Sequence, residues 1–273
     1  MIQIPDFAKK EDLFSWLKAN KSMLIAAKKS QLKRADAVSF LMVAESGTEI
    51  ITKAEARPEL LDMGEFPVKV VINTTNIFDS HRDVHIPGLW KKSLSEKKDN
   101  YLIQEHEMSF ENIISDRVKA YTKTLSFAEL GFSFAGITEA LIFDAIVELE
   151  RNEYMAEQYA KGRVKNHSVG MQYVKLELAV NSESRYDAEE KAVWDKYIDQ
   201  IANREAAEEV GYFWAVTEAK LIEGSAVVMG SNFVTPTLQI GKQSALENSR
   251  ESTEGEPQIN VSEIVNHIKS LKL

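Results

Sequence analysis

Apolar positions near the start of the chain recur at helical spacing, first Leu13, Phe14 and Leu17, then Met23 and Leu24. This predicts a helical leader over residues 1–65. The period changes at Phe66. From there to Ile72 (FPVKVVI), Val68, Val70 and Ile72 fall on one face of an alternating pattern, the mark of a half-buried strand. Residues 117–127 (RVKAYTKTLSF) and 168–180 read as further strands, and residues 212–228 as one or two more, broken at Gly224. Two stretches between them read as helices. One is 138–161, rich in Ala, Leu and Ile; the other is 186–209, with Trp194, Tyr197, Ile198 and Ile201 on one stripe. Strands interrupted by few helices predict an α+β domain over 66–240, built around a mixed or closed sheet, in place of a βαβ wheel. Residues 244–257 (SALENSRESTEGEP) are polar and aperiodic, the centre of a linker predicted over 241–259. Beyond it Asn260 and Glu263 stand at capping-box spacing ahead of Val261, Ile264, Val265, Ile268 and Leu271. Residues 260–273 are therefore predicted to form a tethered amphipathic helix.

Composition narrows the class. An apolar content of 44% with 27% charged residues excludes wholesale disorder. No run of about 18 apolar residues is present, so no spanning helix is expected. The N-terminus lacks the basic–apolar–small order of a secretory signal. There are no cysteines, which removes disulfides, thiolate zinc sites and Cys nucleophiles together and fits a cytoplasmic setting. A net charge of −9 argues against a nucleic-acid binder. The charge is unevenly spread. Residues 1–34 carry eight Lys/Arg against three Asp/Glu, whereas 183–209 carry four against nine. The basic leader offers either a solvated helix face or a surface for an acidic partner.

Three segments carry candidate chemistry. His81 and His85 have the HxxxH spacing that puts two imidazoles on one helix face, as zinc hydrolases require. The residues between them lack the Glu of a zincin, and Pro87 favours a loop. In Asn166–Met171 (NHSVGM), Ser168 and Gly170 share a strand face while His167 points to the other, so His167 cannot serve Ser168 as a base. A serine nucleophile needs a base within hydrogen-bond reach and a third group to orient it. The histidine left for that task is His106, 62 residues upstream. Residue types alone leave a plain strand serine and a surface histidine as the alternative. In residues 217–228 (TEAKLIEGSAVV), Glu223 lies in an apolar run where a lone carboxylate is costly to bury. It needs water or a cationic partner. Glu218 has the opposite strand parity, so only one of the two can join a given site.

The ordered blocks FDSHRDVHIPGLWKKSL, His106, AKGRVKNHSVGMQY and EAKLIEGSAVVMGSNFVTP resemble the prohead (capsid maturation) serine proteases of tailed bacteriophages, distant relatives of herpesvirus assemblin. The resemblance covers residues 66–238. Its elements are Asp83 with Pro87-Gly88, the isolated His106, the Ser168 strand, Glu223-Gly224-Ser225, and Ser231-Asn232. The leader, the acidic insert at 183–209 and Leu89-Trp90 after the Pro-Gly pair depart from the family pattern. The resemblance implies a compact β-barrel-like mixed sheet flanked by helices, the herpesvirus-protease-like fold. It also implies a Ser-His-Glu endopeptidase with Ser168 as nucleophile, His106 as base and Glu223 as orienting group, Glu218 being the reserve. No cofactor or metal is implied. The implied substrates are scaffold and the leader of the major capsid protein, inside an assembling prohead in a bacterial cytoplasm. Self-association and self-cleavage within 240–260 belong to the same expectation. A catalytically silent structural component of the prohead core is the rival reading.

Overall fold

The computed structural model describes residues 4–32 and 54–241. The chain divides after Gly241, and the predicted linker and C-terminal helix beyond it lie outside the described residues, as does 33–53 of the leader. The described part of the helical leader holds two α-helices, α1 (Lys10–Ala19) and α2 (Lys21–Ser30), and a 3-10 helix, Pro58–Met63. The break between α1 and α2 falls at Asn20, whose backbone and side-chain N–H groups both donate to the Trp16 carbonyl. Glu11 and Asp12 in the first turn of α1 and Lys18 in its last complement the helix dipole. Phe14, Leu17 and Leu24 are buried in the main core.

One sheet is antiparallel and holds β1 (Glu65–Thr74), β5 (Val118–Ser126), β6 (Ile137–Glu148) and β9 (Thr237–Ile240), in the order β5-β6-β1-β9. The other is mixed and centres on the 16-residue β8 (Tyr212–Val227). Along one edge of β8 runs β7 (Asn166–Val180), antiparallel to it. Its other edge is shared by β2 (Asp83–His85) and β3 (Leu102–Gln104), both parallel and joined through the short helix α3 (Lys91–Glu96), with β4 (Ile113–Ser115) beyond β3. The sheets pack face to face through Val70 and Ile72 of β1, Leu141 and Phe143 of β6, and Val169, Met171 and Tyr173 of β7. They do not close into a barrel. The architecture is α+β, and the barrel expectation is corrected to two open, stacked sheets.

Two element assignments are also corrected. Residues 138–161 are not one helix but β6 followed by the short helix α4 (Glu153–Ala160). The Ala, Leu and Glu content favours helix, yet β6 runs between β1 and β5 with both edges hydrogen-bonded, and that pairing overrides propensity. Asn152 then starts α4 by accepting from the Met155 N–H at 3.0 Å, an N-cap. Nor does Gly224 break β8. A Cβ there would lie 2.6 Å from the Phe143 ring, so the glycine permits close sheet packing within an unbroken strand.

The acidic insert folds as α5 (Ala188–Tyr197) and α6 (Arg204–Val210) and buries Trp194, Tyr197, Ile198 and Ile201, the predicted stripe, against β8 residues Phe213 and Ala215. The basic leader lies against it. Lys21 pairs with Glu190 at 2.5 Å, Lys18 with Asp187 at 3.1 Å, and Lys10 donates to the Glu209 carbonyl at 2.6 Å. The leader's positive charge is thus partly matched within the chain, not left on a solvated face. Among the described residues, no helix is long and apolar enough to cross a membrane.

Candidate active site

The β7–β8 ladder fixes two of the three predicted site residues. Ser168 pairs with Ser225, and Gly170 with Glu223. Paired residues share a sheet face, as do residues two apart on one strand. Ser168, Gly170, Ser225 and Glu223 therefore form a patch on one face, while Gly224 on the opposite face meets the core.

The third residue arrives from the other edge of β8. After β3 the chain turns through Glu105 and His106, consecutive non-glycine residues at φ +50° and +61°. This left-handed backbone is uncommon and persists only where its surroundings hold it. Here the Glu105 N–H donates to the Ala226 carbonyl at 3.0 Å, and the His106 N–H donates to Ser225 Oγ at 3.1 Å. The turn brings the imidazole to the polar patch, where His106 Nδ1 meets Glu223 Oε1 at 2.6 Å. A carboxylate only accepts, so Nδ1 carries the proton, and Nε2 is the basic nitrogen of the neutral ring. The second carboxylate oxygen, Oε2, accepts from Ser225 Oγ at 2.7 Å. With both Glu223 oxygens engaged and the pair almost wholly buried, each group supplies what the other needs to be tolerated there.

Gly170 makes the carboxylate's position possible, because a Cβ on it would sit 2.0 Å from Glu223 Oε1. Lys97, half-buried, donates to the Ile222 carbonyl beside the patch. Burial lowers its pKa, and the nearby Glu223 and Asp99 charges oppose that shift. Of the two serines, Ser225 is wholly inaccessible and holds two hydrogen bonds, whereas Ser168 is 6% exposed. Among the described residues, the Ser168 hydroxyl makes no hydrogen bond. Ser168 and His106 thus share the patch without a direct bond between them.

The remaining candidates lie elsewhere. Glu218 pairs with Lys175 and, at 3.7 Å, with Lys92, and does not meet His106. His85 is buried, with Nδ1 on Asn73 Oδ1 at 2.9 Å and Nε2 on Tyr173 Oη at 3.2 Å, so both ring nitrogens face side-chain partners. Asp83, of the acidic turn block, is wholly buried and accepts from Lys28 Nζ and, at 2.7 Å, from Tyr173 Oη. Asp79 accepts from the backbone of His81 and Asp83, and burial together with the Asp83 charge raises its pKa to about 6. That block is a buried polar turn anchored by the leader. His167 lies on the core face, as strand parity predicts. Its Nδ1 donates to the Thr235 carbonyl at 3.2 Å and its Nε2 accepts from Tyr159 Oη at 2.9 Å. Burial lowers its pKa to about 4.

Sequence reasoning did not place Ser225 or Gly170 among the site residues. The signal was present in strand parity, since Ser225 lies two residues from Glu223 and Gly170 two from Ser168. A cavity of about 330 Å³ opens nearby, lined by Glu105, Tyr154, Arg163 and Asn166 among others, and none of the four patch residues or His106 lines it. Among the described residues, no cluster of three or more His, Asp or Glu side chains could hold a metal ion. No family model, curated protein or solved structure matches this chain.

Proposed function

We propose that the chain is a serine endopeptidase of the prohead maturation class, with Ser168, His106 and Glu223 in the roles of nucleophile, base and orienting acid. The observation that carries this reading is the buried Glu223–His106 pair on the sheet face of Ser168. Ser168 Oγ attacks the scissile carbonyl carbon as its proton passes to His106 Nε2. The tetrahedral intermediate collapses, the C–N bond breaks, and Nε2 returns the proton to the departing amine. Water then hydrolyses the acyl-enzyme by the same base, regenerating Ser168. Glu223 holds the ring in the required tautomer and stabilises the imidazolium formed in each step.

Amide donors for the oxyanion lie on the side of Ser168 away from β8. The Gly224 N–H points to β3, where it bonds the Tyr101 carbonyl, so Ser225 faces Ser168 across the ladder and the Val169 N–H points outward. A Cβ on Gly230 would sit 2.9 Å from the His167 carbonyl and 3.7 Å from Ser168 Cβ, so this loop borders the nucleophile. Among the described residues, none accepts from the N–H of Val169, Gly230 or Ser231. These amides are the proposed oxyanion donors. The loop is pinned by buried Asn232, which bonds Thr74 through both ends of its amide.

The proposed likeness to herpesvirus assemblin rests on the nucleophile strand, the histidine turn and the late acidic strand, and not on barrel closure. Scaffold, the capsid-protein leader and the chain itself are the proposed substrates. One observation favours the rival reading of a silent core component, namely that Ser168 makes no hydrogen bond to the described residues. Catalytic contacts that are open without substrate can close in the Michaelis complex. Co-expression with the capsid and scaffold proteins of the same virus separates the two, by comparing intact masses with wild type and Ser168→Ala. Discrete shortening that requires Ser168 supports the protease. Identical masses, together with no labelling of Ser168 by a fluorophosphonate, would leave the structural role.

A further inference from the structure

The wholly buried Ser225 hydroxyl stands between the two groups whose relative placement the proposed mechanism depends on. It donates to Glu223 Oε2 at 2.7 Å and accepts from the His106 backbone N–H at 3.1 Å. We infer that Ser225 is a positioning residue for the proposed reaction: one hydroxyl fixes both the carboxylate that orients His106 and the backbone turn that carries it. This rests on the serine-protease reading.

Three features support a role beyond packing. The His106 turn uses two consecutive left-handed, non-glycine residues, a conformation that needs an external hold, and the Ser225 contact is one of its hydrogen bonds to β8. Glu223 has two oxygens and two duties. With Oε2 tied to Ser225, Oε1 is directed at His106 Nδ1, and the space this needs exists because residue 170 has no side chain. The i, i+2 spacing of Glu223 and Ser225 makes the arrangement local to one strand, so it moves as a unit with β8. Without the hydroxyl, the carboxylate can rotate and the turn loses a tether. Nδ1 is then less firmly held as the protonated nitrogen, and Nε2 is less often presented to Ser168.

The test compares wild type, Ser168→Ala, Ser225→Ala and Ser225→Thr on a peptide taken from a mapped cleavage site, with melting temperatures recorded for each. Ser225→Ala should lower kcat about 10- to 100-fold, as expected for a lost hydrogen bond to a charged group, with KM within about twofold of wild type. Threonine keeps the hydroxyl and should retain kcat within about threefold. ¹⁵N-detected NMR of the imidazole should show the Nδ1–H tautomer of His106 in wild type and Ser225→Thr, and a mixture in Ser225→Ala. Wild-type kcat or an unchanged tautomer in folded Ser225→Ala would overturn the inference, as would a threonine variant that folds but is as impaired as alanine. If Ser225→Ala does not fold, Ser225→Cys takes its place as a weak donor: a loss comparable to that expected for alanine supports the role, and wild-type kcat overturns it. A wild type that neither cleaves nor labels at Ser168 would instead overturn the protease reading itself.

Discussion

His106 and His167 flank opposite faces of one β-ladder. Both are nearly inaccessible and both are held by hydrogen bonds, yet the partners named here differ in charge. His167 meets a carbonyl and a phenol, neutral partners that fix one neutral tautomer, and burial lowers its pKa to about 4. His106 meets a carboxylate through Nδ1 and a serine hydroxyl through its backbone. Burial alone therefore does not mark a histidine as chemical. The charge of the partner decides whether a protonated ring can be tolerated, and a general base must tolerate it.

The sharpest way to break this contrast is to remove each ring in turn. Ser168→Ala and His106→Ala are each expected to lower cleavage by about 10⁴-fold or more, measured by intact mass over time. His167→Ala should instead lower the melting temperature. An activity loss at His167 equal to that at His106, in a folded protein, would erase the distinction. Next in size, Glu223→Gln keeps the side chain's shape but removes the anion and is expected to lower kcat by up to about 10⁴-fold, no more than the loss of His106.

A third test concerns pH and stability. His167 binds its proton near pH 6.5 when unfolded but only near pH 4 when folded, so between those values the unfolded chain holds more protons. Stability from this group is complete above pH 6.5 and falls by about 3 kcal/mol as pH drops towards 4. Asp79 works the other way. Its pKa is raised from 3.8 to about 6, so the folded chain holds the extra proton between those values and stability rises as pH falls from 6 to 4. The two slopes oppose each other in wild type. Asp79→Asn should uncover the acid loss from His167, and His167→Gln the acid gain from Asp79, in urea midpoints taken at pH 6 and 4.5. Parallel curves for the two variants would refute the assignment.

Smaller effects follow at the edges of the site and at the leader. Gly170→Ala places a methyl group where Glu223 Oε1 lies and should lower kcat about 10- to 100-fold, by separating Glu223 from His106. Activity unchanged in this variant would mean that the carboxylate can move without consequence. Lys21→Ala, which leaves the buried Glu190 carboxylate without its lysine partner from the leader, should cost about 1–3 kcal/mol in chemical denaturation.

Period and parity along the chain determined much of this protein. The alternation at 66–72 and in the Ser168 strand, the stripe at Trp194, Tyr197, Ile198 and Ile201, and the opposed faces of His167 and Ser168 were all legible, because each depends on geometry within one element. The opposite charges of leader and insert were legible as well. Their contact was not, since nothing local relates Lys21 to Glu190. Strand β6 was misread as helix because its composition suits a helix and only β1 and β5, distant in sequence, settle it as a strand. The choice of Glu223 over Glu218 as the partner of His106 needed the parallel pairing of β3 with β8, which delivers the histidine turn beside Ser225. A hydrogen bond spanning 117 residues is set by how the strands are ordered in space, and the sequence writes that order only through the folded chain.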